Sequence, residues 1–352
     1  MQVEIDAAIR NVLSSGYYVL GPRVISFEQE FAEYIGAREA IGVANGTDAI
    51  ALALRALDIG PGDEVITVAH TAVATVAAIE QAGATAVLVD VEPGLLTMDP
   101  AQLAAATSER TRAVLPVHLY GQSASMDAIA EFCETRGLAL IEDVSQAHGA
   151  TWQGRRLGSI GRIGIFSCYP TKNLSALGDA GVMVTSDPAI AQRLRGLRQY
   201  GWAERNSSLE PGVNSRLDEI QAAVLREKLP RLDAHNDRRR ALAEAYDAAF
   251  SDLPVQIPTR HAKGEHAFHL YVIEVTDREG LRAHLAEQGI QSAVHYPIPI
   301  HLQPAYKDRL RVVNDLPVTV AAADRILSLP MYPELTDDMQ AQVIGAVCSA
   351  LG

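Results

Sequence analysis

The chain has 352 residues, 48% of them hydrophobic and 21% charged, enough for two or three domain-sized units around a large buried core. Forty-three acids against 30 bases leave a formal net charge of -13, which argues against nucleic-acid partners and polybasic membrane anchors, since both need a surplus of Lys and Arg. Three cysteines, Cys133, Cys168 and Cys348, form no close pair, which excludes a CxxC zinc site and a disulfide framework and suits a reducing, cytoplasmic setting.

The opening MQVEIDAAIR carries early acids and lacks the apolar core of a signal peptide. The most apolar stretch, 65–79, is too short for a membrane span and is interrupted by His70 and two threonines. From about residue 40 to 185, short β-branched runs alternate with helical patterns. Strands are expected at 40–44, 64–68, 85–89, 113–117, 139–143, 163–167 and 182–185, and helices at 47–57, 71–82, 99–106 and 126–136. Apolar strands separated by helices read as right-handed βαβ units around a mostly parallel sheet, an α/β fold. Beyond 186 a helix starts at Pro188 and runs to about 198. A loop rich in Gly, Ser and Asn fills 201–215, and 217–250 reads as a long helical stretch kinked at Pro230. Strands at 270–275 and 290–294 and helices at 278–288, 317–327 and 336–350 make a smaller α+β unit. The expected division is a large domain over 1–240 and a small C-terminal domain over 241–352, with roughly the first 25 residues packing on the small domain or on a partner.

Three constellations carry chemistry. In ANGTDAIALAL (44–54) a strand ends, Gly46 and Thr47 turn, and a helix begins. Such a helix start suits a phosphate, and an ordinary cap supplied by Thr47 or Asp48 fits the same residues. Gly158, Gly161 and Gly164 precede a strand rather than open a helix, so they are no dinucleotide fingerprint. In LALIEDVSQAHGA (138–150), Glu142 and Asp143 close an apolar strand, where an acid either serves the fold or meets a cationic ligand nitrogen. In IFSCYPTKNLSALGDAGVMVT (165–185), a strand reaches Ser167 and a turn then carries Lys172. Gly178 and Gly181 permit close backbone approach nearby. Only four lysines exist, at 172, 228, 263 and 307, against 26 arginines. A lone lysine beside a sheet is either a surface side chain or a desolvated amine suited to a Schiff base. A phosphate cradle, a strand-end carboxylate and such a lysine together form the minimal kit for pyridoxal 5'-phosphate (PLP).

The ordered motifs SGYYVLGP (15–22), NGTDAI (45–50), VHLYGQ (117–122), EDVSQAHGA (142–150), FSCYPTKNLSALGD (166–179), GVNSRLDEIQAA (212–223), HLYV (269–272) and HYPIPIH (295–301) carry a resemblance over nearly the whole chain. The sequence resembles the DegT/DnrJ/EryC1/StrS nucleotide-sugar aminotransferases, of aspartate-aminotransferase fold. The resemblance implies that Lys172 forms the Schiff base with PLP, that Asp143 pairs with the pyridine nitrogen, and that Gln146 reaches the ring hydroxyl side. It implies that Gly46, Thr47 and Ser167 hold the cofactor phosphate. It further implies a homodimer in which Asn214 reaches the phosphate of the neighbouring subunit's cofactor and Arg205 adds a cation from the partner chain. Tyr169, His295 and Tyr296 match positions that grip the nucleotide sugar in some sugar 3-aminotransferases. The chain departs from the family in three places. It lacks the opening segment resembling PFLDL, has Ala72 where many members stack an aromatic on the cofactor, and has Cys168 where phenylalanine is common.

Other features have plainer readings. His261, His266 and His269 are spaced like metal ligands, but a strand at HLYV favours packing or cofactor-edge roles, so no metal is expected. Arg238–Arg240 reads as a solvated helix face, Arg155 and Arg156 as a hairpin turn with pyrophosphate contact as the other reading, and Tyr17–Tyr18 as packing with the lining of a partner's site as the other reading. The function expected is transfer of an amino group from L-glutamate to a dTDP-3-keto-6-deoxyhexose. The other readings are a 4-keto nucleotide sugar, a UDP sugar or an aminocyclitol as acceptor, a non-catalytic PLP-binding regulator, and a nicotinamide-dependent dehydrogenase, which lacks its glycine fingerprint here.

Overall fold

A computed structural model describes residues 1–307 and 309–352. Two helices, α1 (Gln2–Ser15) and α2 (Pro22–Ile35), precede the first strand; neither is among the expected elements. The chain then alternates through β1 (Glu39–Val43), α3 (Gly46–Ala56), β2 (Glu64–Val68), α4 (Val73–Gln81), β3 (Thr85–Val89), the single turn α5 (Leu103–Ala106), β4 (Thr111–Val114), α6 (Met126–Arg136) and β5 (Ala139–Asp143). A hairpin of β6 (Thr151–Trp152) and β7 (Arg155–Arg156) leads to β8 (Ile163–Ser167), β9 (Gly181–Thr185) and α7 (Pro188–Leu197). A second hairpin, β10 (Trp202–Glu204) and β11 (Ser207–Ser208), is followed by α8 (Glu219–Lys228), α9 (Leu232–Phe250), β12 (Gly264–Glu265), β13 (Tyr271–Glu274) and α10 (Arg278–Glu287). The chain closes with β14 (Arg311–Val312), α11 (Pro317–Arg325), β15 (Ile326–Leu329) and α12 (Asp337–Leu351).

The large sheet has the order β1-β9-β8-β5-β4-β2-β3-β14. Only β9 runs against its neighbours; the other pairs in this sheet are parallel. This is the expected α/β architecture with a mostly parallel mixed sheet. Strands β2 and β9 are buried along their whole length, which is why they read as continuous apolar runs. A second apolar cluster forms around Leu242, Tyr246, Phe250, Phe268 and Tyr271, beside the antiparallel pair β13–β15. Among the described residues no helix is long and apolar enough to cross a membrane.

Several expectations are corrected. The region 290–294 is no strand; it contributes one isolated bridge, Ala293 to Ser328. The helix expected to 327 ends at Arg325, because Ile326–Leu329 pairs with β13 instead. The strand expected at 113–117 stops at Val114, ahead of Pro116, which has no N–H for the ladder. The segment 99–106 splits into a 3-10 turn (Pro100–Gln102) and α5. Pro230 does more than kink a helix: α8 ends at Lys228 and a 3-10 turn over Leu229–Arg231 separates it from α9. Arg155 and Arg156 lie in β7, after the turn at Gln153 and Gly154. Arg239 is buried and donates to the carbonyls of Phe268, His269 and Met331, so only its neighbours Arg238 and Arg240 face acids at the surface.

Candidate active site

The site is assembled at the carboxyl ends of the parallel strands. Side chains alternate along β5, so its last two acids face opposite ways. Glu142 is fully buried and accepts from the N–H groups of Gly158 (2.9 Å), Ile160 (2.8 Å) and Gly161 (2.7 Å), beside His118 Nε2 at 3.3 Å. It is a structural acid, and it accounts for the glycine cluster it holds. Asp143 is also buried but accepts only from Ser145 N (3.1 Å) and the Thr75 hydroxyl (3.3 Å) among the described residues. A buried carboxylate with so few donors has capacity left for a cationic partner.

Lys172 lies on the turn between β8 and β9, where its own N–H donates to Tyr169 O at 2.8 Å. Helix α8 fixes that turn from outside. Lys228 Nζ donates to Ser175 O (2.7 Å) and Oγ (2.9 Å), and Gln221 Oε1 accepts from Leu177 N (2.8 Å). Burial holds the Lys172 amine below the ordinary lysine value, with the charge of Asp143 pulling the other way. A lysine so placed is the nucleophilic free amine for a larger fraction of the time.

The start of α3 is the candidate anion cradle. Its cap is Asn45, whose side chain accepts from Asp48 N at 2.8 Å, not the expected Thr47 or Asp48. Asp48 instead accepts from Ser215 Oγ (2.6 Å), whose oxygen in turn accepts from Ala44 N (3.1 Å). The N–H groups of Gly46 and Thr47 begin the helix and have no partner within it. A Cβ on Gly46 would stand 2.8 Å from Ser167 Cβ, so glycine lets this helix start close on the end of β8. Gly181, on β9, is glycine for a sharper reason: its Cβ would stand 2.3 Å from Asn45 O.

On the far side, Gln146 joins two segments. Its Oε1 accepts from Tyr120 N (2.8 Å) and its Nε2 donates to Tyr296 Oη (3.0 Å). Tyr120 Oη lies 2.8 Å from His70 Nε2 and bonds His295 O, and His295 Nδ1 meets Ser328 Oγ at 2.8 Å. Tyr296 is pushed up from an ordinary phenol by burial. Tyr169 is 49% exposed beside the lysine turn. Arg205, at the tip of the β10–β11 hairpin, and Asn214 are both exposed and bond none of the groups above among the described residues. The structure therefore brings together Gly46, Thr47, Asp143, Gln146, Ser167, Lys172, His295 and Tyr296, and leaves Asn214 and Arg205 facing outward. Ala72 caps α4 three residues before Thr75.

Sequence reasoning missed Thr75, Tyr120, His148, Asn173 and Lys228, all of which hold or surround the core of the site. The three histidines spaced like ligands separate: His261 packs edge-on against Trp152, His266 stacks on Phe268, and His269 bonds Asn173.

The chain belongs to the DegT/DnrJ/EryC1/StrS aminotransferase family, whose model matches residues 1–348. It is thus an aminotransferase, and the family's cofactor is PLP. Among its relatives, the dTDP-3-amino-3,4,6-trideoxy-alpha-D-glucose transaminase of Streptomyces venezuelae is 46% identical over 348 residues, covering 99% of this chain and 92% of the relative. Streptomyces venezuelae DesV, solved in complex with a ketimine intermediate, superposes with a TM-score of 0.97 at 46% identity, covering 99% of this chain and 94% of that one. NtdA from Bacillus subtilis, solved with bound cofactor PMP, superposes at 0.92 and 31% identity, covering 99% and 81%. The residues present here fit that cofactor: a glycine-opened helix start beside Ser167 for the phosphate, a buried under-used carboxylate for the ring nitrogen, and a desolvated lysine amine for the aldehyde.

Proposed function

We propose that this aminotransferase moves an amino group from L-glutamate to a dTDP-linked 3-keto-6-deoxyhexose, working as a homodimer with shared active sites. The observation that carries the reading is the desolvated amine of Lys172, acted on by the charge of the buried Asp143 carboxylate and set against the Gly46–Ser167 cradle. The sugar part rests on the relative from Streptomyces venezuelae, whose name specifies a dTDP-3-amino sugar. The dimer rests on Asn214 and Arg205, exposed on a segment that offers them to a neighbouring subunit. The division into 1–240 and 241–352 belongs to the same reading and is supported by a second apolar core that starts at Leu242.

PLP, when bound, supplies an aldehyde that condenses with amines and a pyridinium ring that withdraws electrons. Asp143 keeps a proton on the ring nitrogen, so the electron-withdrawing form persists at neutral pH. Gly46 and Thr47 N–H groups and Ser167 Oγ would hold the phosphate. Lys172 Nζ, as a free amine, would serve as base and then acid, taking a proton from the donor carbon and delivering it to the carbon of the former aldehyde, on the other side of the intervening nitrogen. Its lowered basicity makes that exchange feasible near neutrality. Tyr169, His295 and Tyr296 line the sugar side, and Arg205 from the neighbouring subunit meets the diphosphate.

The test offers amino sugars as reverse substrates to the PLP-loaded protein and follows its visible absorbance band. The expected result is loss of the band with a dTDP-3-amino sugar and little change with 4-amino, UDP-linked or aminocyclitol compounds. Loss with one of the latter alone overturns the sugar assignment.

A further inference from the structure

A short chain of amides runs behind Lys172. Asn173 Nδ2 lies 2.9 Å from Ala267 O and 2.8 Å from Asn236 Oδ1, and Asn236 Nδ2 lies 2.8 Å from His148 O. Each end of this chain is a main-chain carbonyl, which can only accept. That fixes which atom of each amide is nitrogen: reversing either would set oxygen against oxygen. Asn173 therefore turns Oδ1 toward His269 Nδ1, 3.1 Å away. An amide oxygen only accepts, so His269 carries its proton on Nδ1 and leaves Nε2 bare.

His269 is 6% exposed and lies among positive or neutral groups. Lys172 approaches from the lysine turn, Arg239 from α9, His148 from the turn after β5 and His295 from the 290s loop. Burial first, and then the positive charge of these neighbours, holds the ring well below the ordinary histidine value. A neutral imidazole keeps its lone pair at Nε2, and Lys172 is the foremost charge acting on the ring.

We propose that His269 is a positioning residue for Lys172. Asn173 locks it as the Nδ1–H tautomer, and its bare Nε2 favours a proton on the Lys172 nitrogen. This rests on the role given to Lys172 above. The device also explains why the residue after the lysine is asparagine: one amide ties the lysine turn to α9, to Ala267 and to His269 at once.

The tautomer is read on the cofactor-free chain labelled with 15N-histidine, with His269→Asn identifying the signals. The expected result is a neutral ring protonated on Nδ1 from about pH 5 to 8. An Nε2–H ring, or a titration near the ordinary histidine value, overturns the proposal. The consequence is read on PLP-loaded His269→Asn, since asparagine retains a donor for Asn173 but has nothing in place of Nε2. The pH midpoint of its visible band falls, by up to about one unit, once that lone pair is gone. A residue that merely clamped the turn leaves the midpoint where the wild type has it, and that result also overturns the proposal. Absence of the band in the wild type contradicts the cofactor reading, while the tautomer measurement still decides this one.

Discussion

Asp143 and Glu142 are adjacent, both buried and opposite in duty. Glu142 spends its lone pairs on three backbone N–H groups, whereas Asp143 has two donors and room for a cation. Replacing Asp143 with asparagine keeps the shape and removes the charge that the proposed mechanism uses to retain a proton on the cofactor nitrogen. For Asp143→Asn, kcat is expected to fall by about 10²–10³-fold, with the circular dichroism spectrum unchanged. A kcat near wild type contradicts the assigned role. At this scale the sequence was most legible where chemistry restricts choice. Lys172 stood out because so few lysines exist, and Asp143 because it ends an apolar run at the ligand-binding edge of a sheet. Asn45 was hidden because Asn45, Thr47 and Asp48 are all competent caps, and only the backbone geometry selects among them. Arg239 was hidden because a run of three arginines on a helix looks solvated, while a 100° step per residue turns the middle one inward.

The elements around the cradle are held by close approach. Strand β9 passes so near the start of α3 that a methyl group at Gly181 would meet Asn45 O at 2.3 Å and Gly46 N at 2.9 Å. Neither of those atoms is a flexible side chain, so the strand or the cradle must move. Gly181→Ala is expected to weaken PLP binding at least tenfold, or about 1.4 kcal/mol, read by absorbance titration of the cofactor. Unchanged affinity contradicts the placement of the phosphate there. The strands of the large sheet other than β14 were legible because burial on both faces makes them mostly apolar. Helix α2 was legible in principle, since Val24, Phe27, Phe31 and Ile35 keep helical spacing and all four are buried. Helix α1 shows little of this pattern, burying only Ala8 and Val12. The region 290–294 misled because alternation alone does not supply a pairing partner, and β15 was masked by the helix that leads directly into it.

Across the molecule, buried histidines outnumber those that the proposed chemistry uses. Burial pushes His70 down to about 4 and His148 and His266 down to about 3, all three being nearly inaccessible to water. In the unfolded chain each ionises near 6.5, so below that pH the unfolded state binds more protons than the folded one. Stability is therefore lost as pH falls from about 6.5 toward 3–4, at roughly 1.4 kcal/mol per pH unit for each ring. Urea midpoints of the cofactor-free protein at pH 7, 6 and 5 are expected to fall in that order, and less steeply for His148→Phe. A flat series contradicts the burial of these rings as neutral groups. None of this was legible in the sequence, where a histidine in a motif invites a ligand reading. The overall architecture was legible, because the alternation of strand and helix over 40–185 leaves few other folds. Its two returns to the large unit were not: β12 and β14 are two residues long and too short to carry a pattern.

The claim that Lys172 is the residue bonded to the cofactor can be read directly, because the chain has only three other lysines, at 228, 263 and 307. The PLP-loaded protein is reduced with borohydride, digested, and the peptides are weighed. The pyridoxyl adduct is expected on Lys172 alone, with none formed by Lys172→Ala. An adduct on Lys228, Lys263 or Lys307 in place of Lys172 contradicts the site.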